Sequence, residues 1–288
     1  MGSGSVLRAV SDLHVSHAEN RAVVEGLRAG SPGDWLIVAG DVGERFEDVE
    51  WALGLLRERF EQVVWVPGNH ELWAVEEDGP RGVARYEALV ELCRGLGVVT
   101  PEDPYPVWRG AGGPVRIAPL FVLYDYSWLA PGARTSEESL AVAHEAGIVC
   151  TDEHYLHPDP YPSRADWCAA RVAESERRLA EVAGDLPLVL VNHWPLVREP
   201  TRIMTYQEFV QWCGTERTAD WHTRFGVEAV VYGHLHIPRR TEYDGVRFEE
   251  VSLGYPREWQ RFGLRADLAR QIVPARDVPA EVAGRVGA

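Results

Sequence analysis

Three apolar runs near the amino terminus each end on a metal-type donor, at almost equal intervals. Residues 6–10 lead into Asp12-Leu13-His14, residues 35–39 into Gly40-Asp41, and residues 63–66 into Gly68-Asn69-His70-Glu71. The interval is 29 residues from Asp12 to Asp41 and 28 from Asp41 to Asn69. That length suits one strand–helix unit repeated, so the pattern predicts successive strand ends delivering donors to a common edge. Two later strings, Asn192-His193 and Gly233-His234-Leu235-His236, follow the apolar runs at 188–191 and 227–232. Asp, Asn and His supply the oxygen and imidazole atoms that first-row divalent metals accept.

The segments between the runs carry helical periodicity. Residues 19–28 align Val23, Val24 and Leu27, and residues 46–60 place Val49, Leu53, Leu56 and Phe60 on one stripe. Another helix is expected over 81–96, with Gly95 and Gly97 as terminators. Residues 100–162 break this rhythm with nine prolines and aromatics such as Tyr105, Trp108 and Phe121. Apart from a candidate strand at 117–124, they read as a long, partly irregular insertion, a kind of segment that often forms lids and walls. Regular structure resumes with Ser163 as an N-cap for a helix to about 183. Thr205-Tyr206-Gln207-Glu208 has capping-box spacing, and Asp244-Gly245 is a hairpin turn. The expected organisation is a flexible leader at 1–5, one domain over 6–255 with its insertion at 100–162, and a weakly periodic tail at 256–288.

With 288 residues, 45% of them hydrophobic, the chain can bury a sizeable core. Its apolar runs fall well short of bilayer length, and its first residues lack a signal-peptide pattern. Cys93, Cys150, Cys168 and Cys213 are widely spaced and read as reduced thiols, so a cytoplasmic protein without membrane attachment is expected. The formal net charge of −15 works against long nucleic acid as a partner, because such binding rests on neutralising phosphates.

Any one of the donor strings arises by chance in many chains; the ordered set of five does not. On that set the chain resembles the calcineurin-like metallophosphoesterase family over residues 6–254. The resemblance implies an α/β (α+β) fold, a four-layer αββα sandwich of two mixed β-sheets flanked by helices, with the site at the strand ends. It implies two divalent metal ions, of Mn, Fe or Zn type. Asp12, His14 and His236 would hold one and Asn69, His193 and His234 the other, with Asp41 bridging. Two such ions, roughly 3.5–4 Å apart, can share a bridging hydroxide that attacks phosphorus in line. His70 matches the family's non-ligand histidine, expected to protonate the leaving oxygen or steady the phosphoryl charge. Arg45 stands where Ser/Thr phosphatases of the superfamily place a phosphate-binding Arg. Glu44 stands where they carry an Asp that orients the histidine, and Glu71 reads as structural.

Specificity is expected from the insertion and from the loops after His193. Tyr124-Asp125-Tyr126-Ser127-Trp128 offers an aromatic, hydroxyl-bearing wall for a nucleotide or pantetheine-like group, or alternatively core beneath a loop. Residues 213–222, 232–239 and 248–259 resemble blocks of an actinobacterial metallophosphoesterase group, some of whose members remove phosphopantetheine from carrier proteins. The resemblance therefore implies a phosphodiesterase acting on phosphopantetheinylated acyl carrier protein. Arg198, Arg202, Arg217, Arg239 and Arg240 would form a basic patch towards that acidic partner. The alternatives are a small-nucleotide phosphatase or phosphodiesterase, and a non-catalytic binding scaffold of the same fold.

Overall fold

The computed structural model describes residues 4–275. Of the expected leader, residues 1–3 lie outside the described residues, as does 276–288 of the tail. The first third runs β1 (Leu7–Val10), α1 (Ala18–Gly26), β2 (Trp35–Val38), α2 (Phe46–Arg57), β3 (Gln62–Trp65), α3 (Asn69–Leu72) and α4 (Gly82–Gly95). The insertion contributes β4 (Val107–Trp108), β5 (Val115–Pro119), α5 (Ser136–Glu145) and α6 (Asp152–Tyr155), and α7 (Arg164–Val182) and β6 (Leu188–Val191) follow. After three 3-10 turns come α8 (Trp221–Arg224), β7 (Val227–Tyr232), β8 (Arg239–Tyr243), β9 (Val246–Glu250), α9 (Pro256–Phe262) and β10 (Arg270–Val273).

The strands form two sheets, ordered β10-β1-β2-β3 and β4-β5-β6-β7-β9-β8. β1, β2 and β3 are mutually parallel, as are β5, β6, β7 and β9; β10, β4 and β8 add antiparallel edges. Parallel neighbours need a crossover, and the 28–29-residue interval accommodates a strand, a helix and two turns.

Side-chain alternation then builds the layers. Leu7, Ala9, Ile37 and Val64 share one buried cluster with Ile117, Val189, Val191, Ala229 and Val231, so these positions face one another between the sheets. The alternate positions Leu36, Val38, Val63 and Trp65 pack with Val49, Leu53, Leu56 and Leu89 from α2 and α4. Leu188, Leu190 and Val230 do the same with Trp167 and Val172 of α7. Four layers result, and strands buried on both faces explain the unbroken apolar runs. At one end the sheets are joined by a bridge between Ser11 and Ser252.

Three segments differ from expectation. The insertion is more regular than expected: beside β5, which pairs in parallel with β6, it holds α5, capped by Thr135, whose hydroxyl accepts from the Glu138 N–H. The strand expected over 117–124 ends at Pro119, yet the chain beyond stays buried. There the side-chain amide of Asn192 takes the place of a neighbouring strand, bonding both Val122 N and Val122 O at 2.9 Å. The 3-10 turn Gln207–Trp212 has Tyr206, not Thr205, at its N-cap, with no side-chain capping bond. Finally, the tail is built in as far as residue 273, since α9 follows β9 and β10 closes the edge beside β1.

Candidate metal centre

The donors leave their strands on strained backbone. Asp12, His14, Asp41, His234 and His236 have φ of 53°, 41°, 54°, 68° and 54°. Left-handed backbone costs an L-residue about 1–2 kcal/mol, so it persists where surrounding packing over-determines it, commonly at functional sites. Close approach explains the glycines in the strings. A Cβ on Gly68 would collide with Asp41 Oδ1, and one on Gly233 with Asp12 Oδ2.

The structure brings all seven expected ligands together at the strand ends. On one side His236 Nε2 lies 3.0 Å from Asp12 Oδ1 and 3.2 Å from His14 Nε2. On the other, Asn69 Oδ1 lies 3.2 Å from both His193 Nε2 and His234 Nδ1. Asp41 Oδ2 stands between them, 3.4 Å from His193 Nε2 and 4.0 Å from His14 Nε2. Donor atoms of Asp12, His14, Asp41 and His236 all fall within 4.8 Å of one another.

The outer partners decide what these inner atoms can be. His236 Nδ1 is 2.9 Å from Glu258 Oε2 and His193 Nδ1 is 2.9 Å from the Ala39 carbonyl, so the outer nitrogens carry the hydrogens. In the neutral rings the inner Nε2 atoms are lone pairs facing carboxylate and amide oxygens, an arrangement of acceptors that fits a divalent cation. Protons compete with a cation for the same atoms. Burial works to raise the Asp12 and Asp41 carboxyls, but His236 and His193 beside them hold both well below the usual range. Burial works against a charged His193, and Asp41 nevertheless carries it up to about 9. Burial and the His193 charge push His234 down to about 3.

Several supporting residues carry no sequence motif of their own. Asp12 Oδ2 accepts from Ser11 Oγ at 2.5 Å and Ser252 Oγ at 2.7 Å. Asp152, from the insertion, accepts from Asn69 Nδ2 at 3.0 Å. Glu71, by contrast the last residue of the third string, locks two strings together, its carboxylate accepting from the N–H groups of Asp41, Val42 and Gly68 at 2.9 Å each. Buried Arg85 donates to the carbonyls of Glu71 at 2.6 Å and Glu44 at 2.5 Å.

His70 sits beside the donor set. Its Nδ1 is 2.8 Å from Glu44 Oε1, its Nε2 is 3.2 Å from the Tyr255 hydroxyl, and Asp41 Oδ2 is 3.8 Å away. Burial would lower the imidazole pKa, but Asp41 and Glu44 raise it above the ordinary value. Trp73 covers one face, with ring centroids 3.8 Å apart. Tyr255, the N-cap of α9, stacks on His14 at 4.4 Å.

Residues 7–238 match the family described as Calcineurin-like phosphoesterase. The chain belongs to that family. An acyl-carrier-protein phosphodiesterase from Mycobacterium tuberculosis, PptH, is 56% identical over 276 residues, spanning 95% of this chain and 85% of that protein. A crystal structure of phosphopantetheinyl hydrolase (PptH) from the same organism superposes with a TM-score of 0.94 at 53% identity, covering 96% of this chain and 99% of that one. As a phosphoesterase, this chain is an enzyme, which sets aside the scaffold alternative.

The expected substrate residues of this phosphoesterase are dispersed. Arg45 is exposed at the N-cap of α2. Tyr124 is fully buried, packed edge-on against Tyr126 and within ring contact of Trp194. It is core, because a wall residue must reach solvent. Asp125 ties its own loop to the segment after β6, accepting from Ser127 Oγ at 2.5 Å, Thr215 Oγ1 at 2.8 Å and Arg217 Nε at 3.2 Å. Tyr126 donates to Glu153 and accepts from Arg164, both at 2.8 Å. The expected basic patch is largely matched by acids: Arg198 lies 4.0 Å from Glu216, Arg202 3.8 Å from Glu199, and Arg240 2.6 Å from Glu249. Beside the centre, a cavity of about 530 Å³ is lined by His17, Glu19, Tyr255, Pro256, Arg257 and Gln260. Among the described residues, no helix is long and apolar enough to cross a membrane.

Proposed function

We propose that this chain is a two-metal phosphodiesterase that hydrolyses the serine–phosphopantetheine diester of acyl carrier protein. The observation that carries the reading is 56% identity, across 95% of the chain, to a protein named for that activity. Asp12, His14 and His236 would hold one ion, Asn69, His193 and His234 the other, with Asp41 shared between them. Manganese, iron and zinc all suit such mixed oxygen–nitrogen donors. When bound, the ions would supply Lewis acidity to the phosphoryl oxygens and lower the pKa of water.

The protein's own groups would do the rest. Water oxygen forms the new bond to phosphorus as the serine oxygen departs, and His70 gives that oxygen its proton. Glu44 holds the imidazole ring and favours its protonated form. The products are free phosphopantetheine and a carrier protein with its serine hydroxyl restored. The cavity beside Tyr255 is of a size that takes a small-molecule group. Free, buried Cys93, Cys150, Cys168 and Cys213 support a reducing, cytoplasmic setting.

The test is mass spectrometry of holo-carrier protein incubated with Mn²⁺-loaded enzyme. Loss of the phosphopantetheine mass is expected, and an unchanged carrier mass overturns the substrate.

A further inference from the structure

Asp152 lies outside every motif, at the first position of α6, and its side chain is fully buried. Its Oδ1 accepts from two donors, Asn69 Nδ2 at 3.0 Å and Trp73 Nε1 at 2.7 Å. A primary amide has one accepting and one donating end, and a half-turn about its last torsion exchanges them. Only the oxygen end can face a cation. By accepting the amide hydrogen, Asp152 commits Asn69 Oδ1 to the side where His193 Nε2 and His234 Nδ1 each lie 3.2 Å away. The second bond acts on the reacting histidine, since Trp73, anchored through its indole N–H, lies against the His70 ring.

We propose that Asp152 is a positioning residue for phosphoester hydrolysis: it selects the ligating orientation of Asn69 and seats Trp73 on His70. It thereby ties the insertion to the centre. α6 is itself held by the surrounding segments. Arg164 donates to the Asp152 carbonyl at 2.7 Å and to Glu153 at 3.0 Å, and Glu153 also accepts from Trp212 Nε1 at 2.7 Å. The inference rests on the two-metal reading above.

Mn²⁺ titration by calorimetry, with electron paramagnetic resonance of the coupled ion pair, tests it. The wild type binds two ions. Asp152→Leu, which has no acceptor, keeps the first ion and binds the second roughly 10–100-fold more weakly, losing the coupled signal. Asp152→Asn, whose carbonyl still accepts from both donors, retains the second ion. Undiminished affinity for the second ion in Asp152→Leu overturns the inference. If that variant does not fold, a swapped pair decides. Asn69→Asp sets two buried carboxylates together and loses the second ion; adding Asp152→Asn lets position 152 donate to position 69, giving up the Trp73 bond, and recovers the ion. A double variant no better than Asn69→Asp also overturns the inference. A wild type that binds fewer than two ions overturns the two-metal reading itself, and the inference with it.

Discussion

Glu44 Oε1 and His70 Nδ1 stand 2.8 Å apart, across 26 residues of sequence. The carboxylate is half-buried. Burial would raise its pKa, but the bond to His70 pulls it down to about 2, so it stays charged beside the imidazole. Where the resemblance to Ser/Thr phosphatases implies an Asp, this chain carries the longer Glu, and the side chain still reaches the ring. Glu44→Gln removes a charged hydrogen bond worth about 1.5–3 kcal/mol. The expected outcome is a kcat on bis-p-nitrophenyl phosphate lowered roughly 10–150-fold, with metal content unchanged. Lost metal in this variant would contradict the assignment of Glu44 to His70 alone.

Glu258 plays the corresponding part for His236, one of the proposed ligands. Its Oε2 lies 2.9 Å from His236 Nδ1 and accepts the Tyr255 N–H at 2.8 Å. Glu258→Gln weakens the hold on the His236 tautomer, and metal affinity is expected to fall about 10–100-fold. Competition against a chelator of known affinity measures it.

Tyr255 separates two contributions of one side chain. Tyr255→Phe keeps the ring stacked on His14 but removes the hydroxyl 3.2 Å from His70 Nε2. A neutral hydrogen bond contributes about 0.5–1.5 kcal/mol, so a decrease in kcat of roughly 2–12-fold is expected, with metal binding intact. Steady-state kinetics beside a metal titration checks both parts.

The strands and the donor set were legible because both are written locally. Buried parallel strands read as apolar runs, and Gly-Asp, Gly-Asn-His-Glu and Gly-His-x-His carry donor and turn together. Asp152 and Ser252 were not legible, because each meets its partner across a large sequence separation: 83 residues from Asp152 to Asn69, and 240 from Ser252 to Asp12. For α9 a signal existed. Pro256 at the first helical position and Glu258 reaching back to the Tyr255 N–H are a helix-start pattern. β10 has no such mark, because an antiparallel edge strand of four residues is specified mostly by the neighbour it covers. For Tyr124 the sequence leaves wall and core both open, because an aromatic in a polar-looking loop has the same composition whether it lines a site or fills core.

Hydrolysis of holo-carrier protein in ¹⁸O-water, with wild type and Asp41→Asn in parallel, tests the central claim most directly. The account predicts that the wild type releases phosphopantetheine carrying ¹⁸O at phosphorus, leaves the carrier serine unlabelled, and that Asp41→Asn releases almost none. Label in the serine oxygen, or undiminished release by Asp41→Asn, would contradict it.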